Sequence, residues 1–137
     1  MHKRRSIRSA VATAVTGLTL TGANVFKSRV HPTPNKSLPA LLVYNGTEES
    51  EPGSTGPDRT LDRDYDLVVE GQAKSGDDID DVLDDIAEDV EEAMDVDRTF
   101  GGLCLESYLA STEFGFSGEG RSRAGSVRMT YKFIYDA

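Results

Sequence analysis

Cysteine occurs once in the 137 residues, at Cys104, so no disulfide framework holds this chain together. Its neighbours Leu103 and Leu105 give it an apolar, strand-like setting, which points to packing rather than reactivity. Histidine is scarce as well. His2 stands near the start and His31 precedes Pro32, so no clustered His/Cys set offers a transition-metal site. Ser107, Ser111 and Ser117 have no histidine base to form a nucleophilic triad with. Gly118 and Gly120 do not lead from a strand into a helix, which excludes a phosphate-cradling loop. No stretch of about 18 consecutive apolar residues exists, so no membrane-spanning helix is expected. Charge is absent by sign in two places. Residues 1–36 carry seven basic residues and no acid, whereas Asp77–Met94 carries ten acids and no base.

The acidic stretch, DDIDDVLDDIAEDVEEAM, has a pattern as well as a charge. Ile79, Val82, Leu83, Ile86, Val90, Ala93 and Met94 recur at helical spacing and make one apolar stripe. A disordered acidic tail has no such stripe, so the segment is a helix packed on something. Its outer face sets like charges four residues apart: Asp77/Asp81, Asp80/Asp84, Asp81/Asp85, Asp84/Glu88, Asp85/Asp89 and Glu88/Glu92. Each pair costs roughly 0.2–0.5 kcal/mol on an isolated helix, and the helix dipole relieves only the first turn. A face built at that cost is suited to meeting a basic surface. Asp81, Asp84, Asp85, Glu88, Asp89 and Glu92 are its candidate partner-facing residues.

The length suits one domain with a real core. The formal charge is −9, and twenty of the twenty-four acids fall within residues 48–97. That imbalance opposes sequence-independent DNA binding, which needs a basic surface. It suits a subunit whose neighbours are charged proteins or copies of itself. The N-terminus has two readings. The basic MHKRR, the run Ser9–Leu20 and the small residues Thr21–Ala23 loosely resemble a secretory signal. Thr13, Thr16 and Thr19, however, line one side of that run while Ile7, Val11, Val15 and Leu18 line the other. This amphipathicity favours a first helix retained in the mature protein and packed on the sheet.

Further along, Ala23–Val30 reads as a short strand and His31–Pro39 as a proline-fixed extended connection. The continuous apolar run Ala40–Tyr44 reads as a strand covered on both faces. Asn45–Pro57 is loop by composition, making residues 45–60 a flexible connection. Arg59–Glu70 alternates as a half-buried strand, with Leu61, Arg63, Tyr65, Leu67 and Val69 on one face. Ser75 or Asp77 is the expected cap of the acidic helix, and Gly101–Gly102 follow its end with Arg98 in the exit turn. Leu103–Phe116 and Ser126–Tyr135 are two more strands, the last with Val127, Met129, Tyr131, Phe133 and Tyr135 on one face. Residues 114–125, FGFSGEGRSRAG, read as a long flexible hairpin tip. Its Phe114, Phe116, Arg121 and Arg123 form a candidate subunit interface, since exposed aromatics beside guanidinium groups mark binding surfaces. The fold class is α+β: a single domain over residues 1–137 with one mixed or antiparallel sheet and helices packed on it.

Two motif matches fail. Asp80-Asp81-Val82-Leu83-Asp84 fits the DDxxD of diphosphate-binding enzymes, but an aspartate-rich helix produces that match by chance, and no second acidic site or large helical cavity accompanies it. Asp62, Asp64 and Asp66 have the first spacings of a calcium loop, but Leu67 and Ala73 stand where glycine and glutamate are needed. No catalytic, cofactor or metal residue is assigned, beyond weak divalent-cation binding by the acidic helix, and no enzyme is expected.

The order of elements resembles the phage tail terminators of the lambda minor tail protein U type. The resemblance is carried by a short first helix, LPALLVY (Leu38–Tyr44), the alternating strand Leu61–Val69 and the acidic helix. It continues in YLASTEF (Tyr108–Phe114), a glycine- and charge-rich loop, and SVRMTYKFIYDA (Ser126–Ala137), in which Thr130-Tyr131 is the most specific piece. The longer 45–60 loop and the strongly basic first helix depart from that pattern. The resemblance implies a hexameric ring that caps the tail tube protein, stops its elongation and offers a surface to a neck or head completion protein. Genomic DNA would pass through the lumen without specific binding. The location implied is the head-proximal end of the virion tail, after assembly in the host cytoplasm. Two alternatives stand beside it: another small head–tail joining subunit, and an acidic binding module that mimics DNA.

Overall fold

The computed structural model describes residues 2–27, 39–56, 59–75, 78–117 and 123–137, with Ser75, Ser117 and Arg123 described by backbone alone. The chain runs α1 (Lys3–Ala14), β1 (Val25–Phe26), β2 (Ala40–Pro52), β3 (Leu61–Ser75), α2 (Ile79–Met94), β4 (Glu106–Ser117) and β5 (Arg123–Asp136). The five strands form one mixed sheet in the order β1-β2-β3-β5-β4, with only the β1–β2 pairing parallel. This is the α+β architecture expected.

Period-2 patterning places the core on one face of that sheet. Leu41 and Val43 from β2, Tyr65, Leu67, Val69 and Ala73 from β3, and Val127, Met129, Tyr131, Phe133 and Tyr135 from β5 are all buried. Both helices lie over this face: α1 against β2, α2 against β3 and β5. From α1, Ile7 and Val11 join the core together with Val15 just past the helix. From α2, Ile79, Leu83, Ile86, Ala87, Val90 and Met94 do so. Ala40 to Val43 are buried on both faces of β2, matching their unbroken apolar run.

Two glycines let α2 come down onto the strands. A Cβ on Gly71 of β3 would stand 2.7 Å from Ile86 Cγ2 and 3.0 Å from Val127 Cγ1. One on Gly125 of β5 would stand 2.9 Å from Ile79 Cγ1 and 3.0 Å from Leu83 Cδ1. Only the absence of a side chain admits the helix this close.

Several expectations need correction. Residues 45–52 are strand, not loop: β2 continues to Pro52 and pairs with β3 down to Pro52↔Leu61. The backbone ladder holds this polar segment in place although neither of its faces is apolar. Phe114 and Phe116, read both as the end of a strand and as the start of a hairpin tip, lie within β4, opposite Val127 and Gly125 of β5. The two strands run on to Ser117 and from Arg123, leaving only residues 118–122 between them, which lie outside the described residues, as do residues 31–38. The α2 N-cap is Asp78 rather than Ser75 or Asp77, and it makes no side-chain capping bond. Cys104 is buried as expected, but it sits in the turn ahead of β4 rather than in a strand, with its thiol directed to the Arg98 carbonyl at 3.3 Å. Burial pushes that thiol up to about 11, away from reactivity at neutral pH.

Candidate functional site

The acidic face of α2 points outward. Asp81, Asp84, Asp85, Glu88 and Glu92 are exposed and Asp89 is half-buried. None of these six takes part in an ion pair among the described residues, whose ion pairs run instead through Glu48, Asp64, Asp66, Glu70 and Asp95. The face is therefore a field of like charge held on a rigid helix.

Beside it lies bare sheet. Register opposite β5 puts Ser107, Leu109, Thr112, Phe114 and Phe116 of β4 on the same side as the helices. An extra residue at Leu109–Ser111 sets that parity for the distal half of the strand. Because α2 covers β3 and β5, the end of β4 stays open: Phe114 is 49 % and Phe116 55 % exposed. Two of the four candidate interface residues are thus aromatic and exposed on an edge strand, which presents an unpaired row of backbone groups as well. Arg121 lies outside the described residues. Arg123 opens β5 opposite Ser75, with only its backbone described.

Where the C-terminal end of α2 meets β4, a cleft of about 420 Å³ opens. Glu91, Glu92 and Asp95 contribute carboxylates, Met94 and Leu109 apolar wall, and Tyr108, Tyr131, Ser107 and Arg98 the rest. Arg98 Nε donates to Asp95 at 2.8 Å, and the Ser107 hydroxyl donates to the Arg98 carbonyl at 2.7 Å. The Tyr131 hydroxyl is closed off from solvent and has no hydrogen-bond partner among the described residues. Burial, then the charges of Glu91 and Asp95, raise its phenol well above the ordinary value of 10.0.

Two carboxylate hubs escaped the sequence reading. The first is Glu48, in the polar stretch taken for a loop. A bulge between Asn45 and Glu48 shifts the β2 register, so that Glu48 rather than Thr47 opposes Tyr65 and faces the helices. There it accepts hydrogen bonds from Arg4 of α1, from Tyr135 of β5 and, at 3.1 Å, from Arg63 of β3. Burial pushes its carboxyl up, but the bonds from Tyr135 and Arg63 and the charge of Arg4 outweigh this and leave it below the ordinary 4.5. Burial and the Glu48 bond push Tyr135 up to about 12. With Arg8 donating to Asn45 at 2.9 Å, this network ties α1 to the sheet.

The second hub is Glu70, on the opposite sheet face and only 6 % exposed. It accepts from Tyr44 Oη at 2.7 Å, Gln72 Nε2 at 2.6 Å and Arg128 Nε at 3.2 Å. Burial and this bond push the Tyr44 phenol up to about 12. Val68 and Glu70 alternate with the core-facing residues of β3, yet both are buried. Further along that face Lys132 Nζ lies 3.7 Å from Asp64 and 3.6 Å from Asp66. This group of carboxylates is thus structural: it neutralises a lysine in the sheet. Among the described residues no cluster of three or more His, Cys, Asp or Glu is arranged to hold a metal ion. Compared with known proteins, the chain matches no family model and no curated protein.

Proposed function

We propose that this protein is a structural, non-enzymatic subunit that assembles head-to-tail into a ring, as a phage tail terminator does. The reading is carried by the opposition of charge across the sheet. On the β1–β2 side stands α1, from the segment that has seven bases and no acid. On the β5–β4 side stand the outward acids of α2 and the open aromatic edge of β4. Two unlike edges on one molecule attract each other between copies, and a heterologous contact of this kind closes into a ring when its rotation allows. The resemblance in element order supplies the hexameric ring, the tail tube below and the neck above. A lumen poor in exposed cations lets DNA slide, because phosphate binding rests on Lys and Arg.

Native mass spectrometry of the purified protein, alone and with tail tubes, tests this. Sixfold rings, free or on tube ends, are the expected result. A protein that neither forms rings nor caps tubes overturns the assignment. The unpaired α2 face supports one other reading, a DNA-mimicking module that occupies a basic protein. Such a protein would stay monomeric or dimeric and compete with DNA.

A further inference from the structure

We infer that the cleft between the C-terminal end of α2 and β4 is a socket for a guanidinium side chain, and that a second copy of this chain fills it with Arg5 of its α1. The occupant rests on the self-association proposed above; the socket rests on its own chemistry.

Three features select a cation with an aliphatic stem. Glu91 and Asp95 both lie close enough to raise the Tyr131 phenol, and Glu92 adds a third carboxylate against the one guanidinium of Arg98. The helix end itself is the negative pole of the α2 dipole, which favours a positive group there. Met94 and Leu109 supply apolar surface for the methylenes of a long side chain.

The fourth feature is a vacancy in hydrogen bonding. Tyr131 is 4 % exposed, and its hydroxyl meets neither solvent nor a partner among the described residues. Native structures seldom leave such a group orphaned, because it loses its hydration with nothing in return. A guanidinium carries five donors in a fixed fork. One seated against Glu91 and Asp95 can give one of them to the phenol oxygen once the lining parts.

The donor is chosen by elimination among the described arginines. Arg4 and Arg63 are bound to Glu48, Arg8 to Asn45, Arg98 to Asp95 and Arg128 to Glu70. The Arg5 side chain is exposed and, among the described residues, makes no ion pair or hydrogen bond. It stands in the first turn of α1, on the helix that packs against β2, and a head-to-tail neighbour would bring it to the cleft. Arg59 is also exposed, but it lies at the β2–β3 connection rather than on the basic helix.

The test has two parts, each on the full chain. Ethylguanidinium is titrated into wild-type protein while the Tyr131 ring resonances, assigned by their loss in Tyr131→Phe, are followed by NMR. A saturable shift is expected, with binding about tenfold weaker in Glu91→Gln/Asp95→Asn. No saturable shift, or the same shift in that variant, overturns the socket. Tyr131→Phe should keep full thermal stability, since its hydroxyl has no bond to lose; marked destabilisation would expose a partner for the phenol and overturn the vacancy. Assembly is then measured by sedimentation velocity. Arg5→Glu and Glu91→Arg/Asp95→Arg should each lower the association constant at least about tenfold, and the combined variant should regain most of it. Single losses without recovery in the exchange overturn Arg5 as the occupant. A wild-type protein that never associates overturns the ring and the occupant together, while the titration still decides the socket.

Discussion

The two helices share one sheet face and one job in the core, yet they treat their charges in opposite ways. In α1 three of the four bases are engaged within the fold, Arg4 with Glu48, Arg8 with Asn45, and Lys3 5.8 Å above the Tyr135 ring, and Arg5 alone is left outward. In α2 the acids from Asp81 to Glu92 remain outward and unpaired among the described residues. The comparison teaches that charge content alone does not tell which surface is for use. A helix most of whose charges are tied down anchors itself. One whose charges are left repelling each other keeps an interaction in reserve, at a cost the free subunit bears.

That contrast can be broken at four points. The largest effects should come from the shared role. Ile7→Ala in α1 and Leu83→Ala in α2 each remove a fully buried side chain and should each cost about 2–5 kcal/mol in denaturant unfolding. An Ile7→Ala variant with wild-type stability would make α1 an appendage and end the comparison.

Next comes the anchor. Glu48→Ala leaves Arg4, Arg63 and Tyr135 without their common acceptor and should cost about 1.5–3 kcal/mol. The pH dependence has a definite sign. Since the folded carboxyl is held below its ordinary 4.5, its stabilisation is complete above that value and is lost as pH falls through the lower folded value. The stability gap between wild type and Glu48→Gln should therefore narrow on acidification below pH 4.5, and a gap that is flat with pH would deny the hub its charge.

Gly71→Ala should follow, at about 1–3 kcal/mol, because its methyl group would meet Ile86 and Val127. A neutral result by thermal melting would show that α2 can ride up off the sheet.

The smallest effect has the opposite sign. Asp81→Asn/Asp85→Asn/Asp89→Asn removes two like-charge pairs inside α2 and should stabilise the free subunit by roughly 0.4–1 kcal/mol. Added salt should raise the melting temperature of wild type more than that of the triple variant. Equal salt responses would mean that the outward acids carry no repulsive cost.

What could be read from the residues follows from what each face touches. The stripe of α2 and the alternation of β3 and β5 were legible because one side of each meets the core, and burial selects apolar residues at the matching period. Residues 45–52 carried no such signal. Their strand is held by backbone pairing with β3, and a ladder leaves no mark in side-chain hydrophobicity. Phe114 and Phe116 were read as strand end and tip at once for a related reason: glycines beside them read as punctuation, although the strand simply continues past the covering helix. The Glu48 and Glu70 hubs were illegible because their partners are brought together by topology, from as far apart as Glu48 and Tyr135. The parity change at the Asn45–Glu48 bulge could not be counted without the partner strand. Of the candidate surface, the outward acids of α2 and the exposure of the two phenylalanines are visible in the structure, while the cleft beside Tyr131 was not foreseen at all.

The two glycine seats under α2 have a mechanical consequence. A helix resting on bulky side chains can slide or roll as those side chains change rotamer. Here the backbone at Gly71 and Gly125 receives Ile86, Ile79 and Leu83 directly, so the helix sits in two notches that oppose both translation along the strands and rotation about its axis. The outward carboxylates then keep a fixed azimuth and spacing, like teeth on a keyed shaft. A partner meeting them finds its orientation set before contact and has little ordering left to impose. Filling either notch would loosen that alignment even where every charge is left in place.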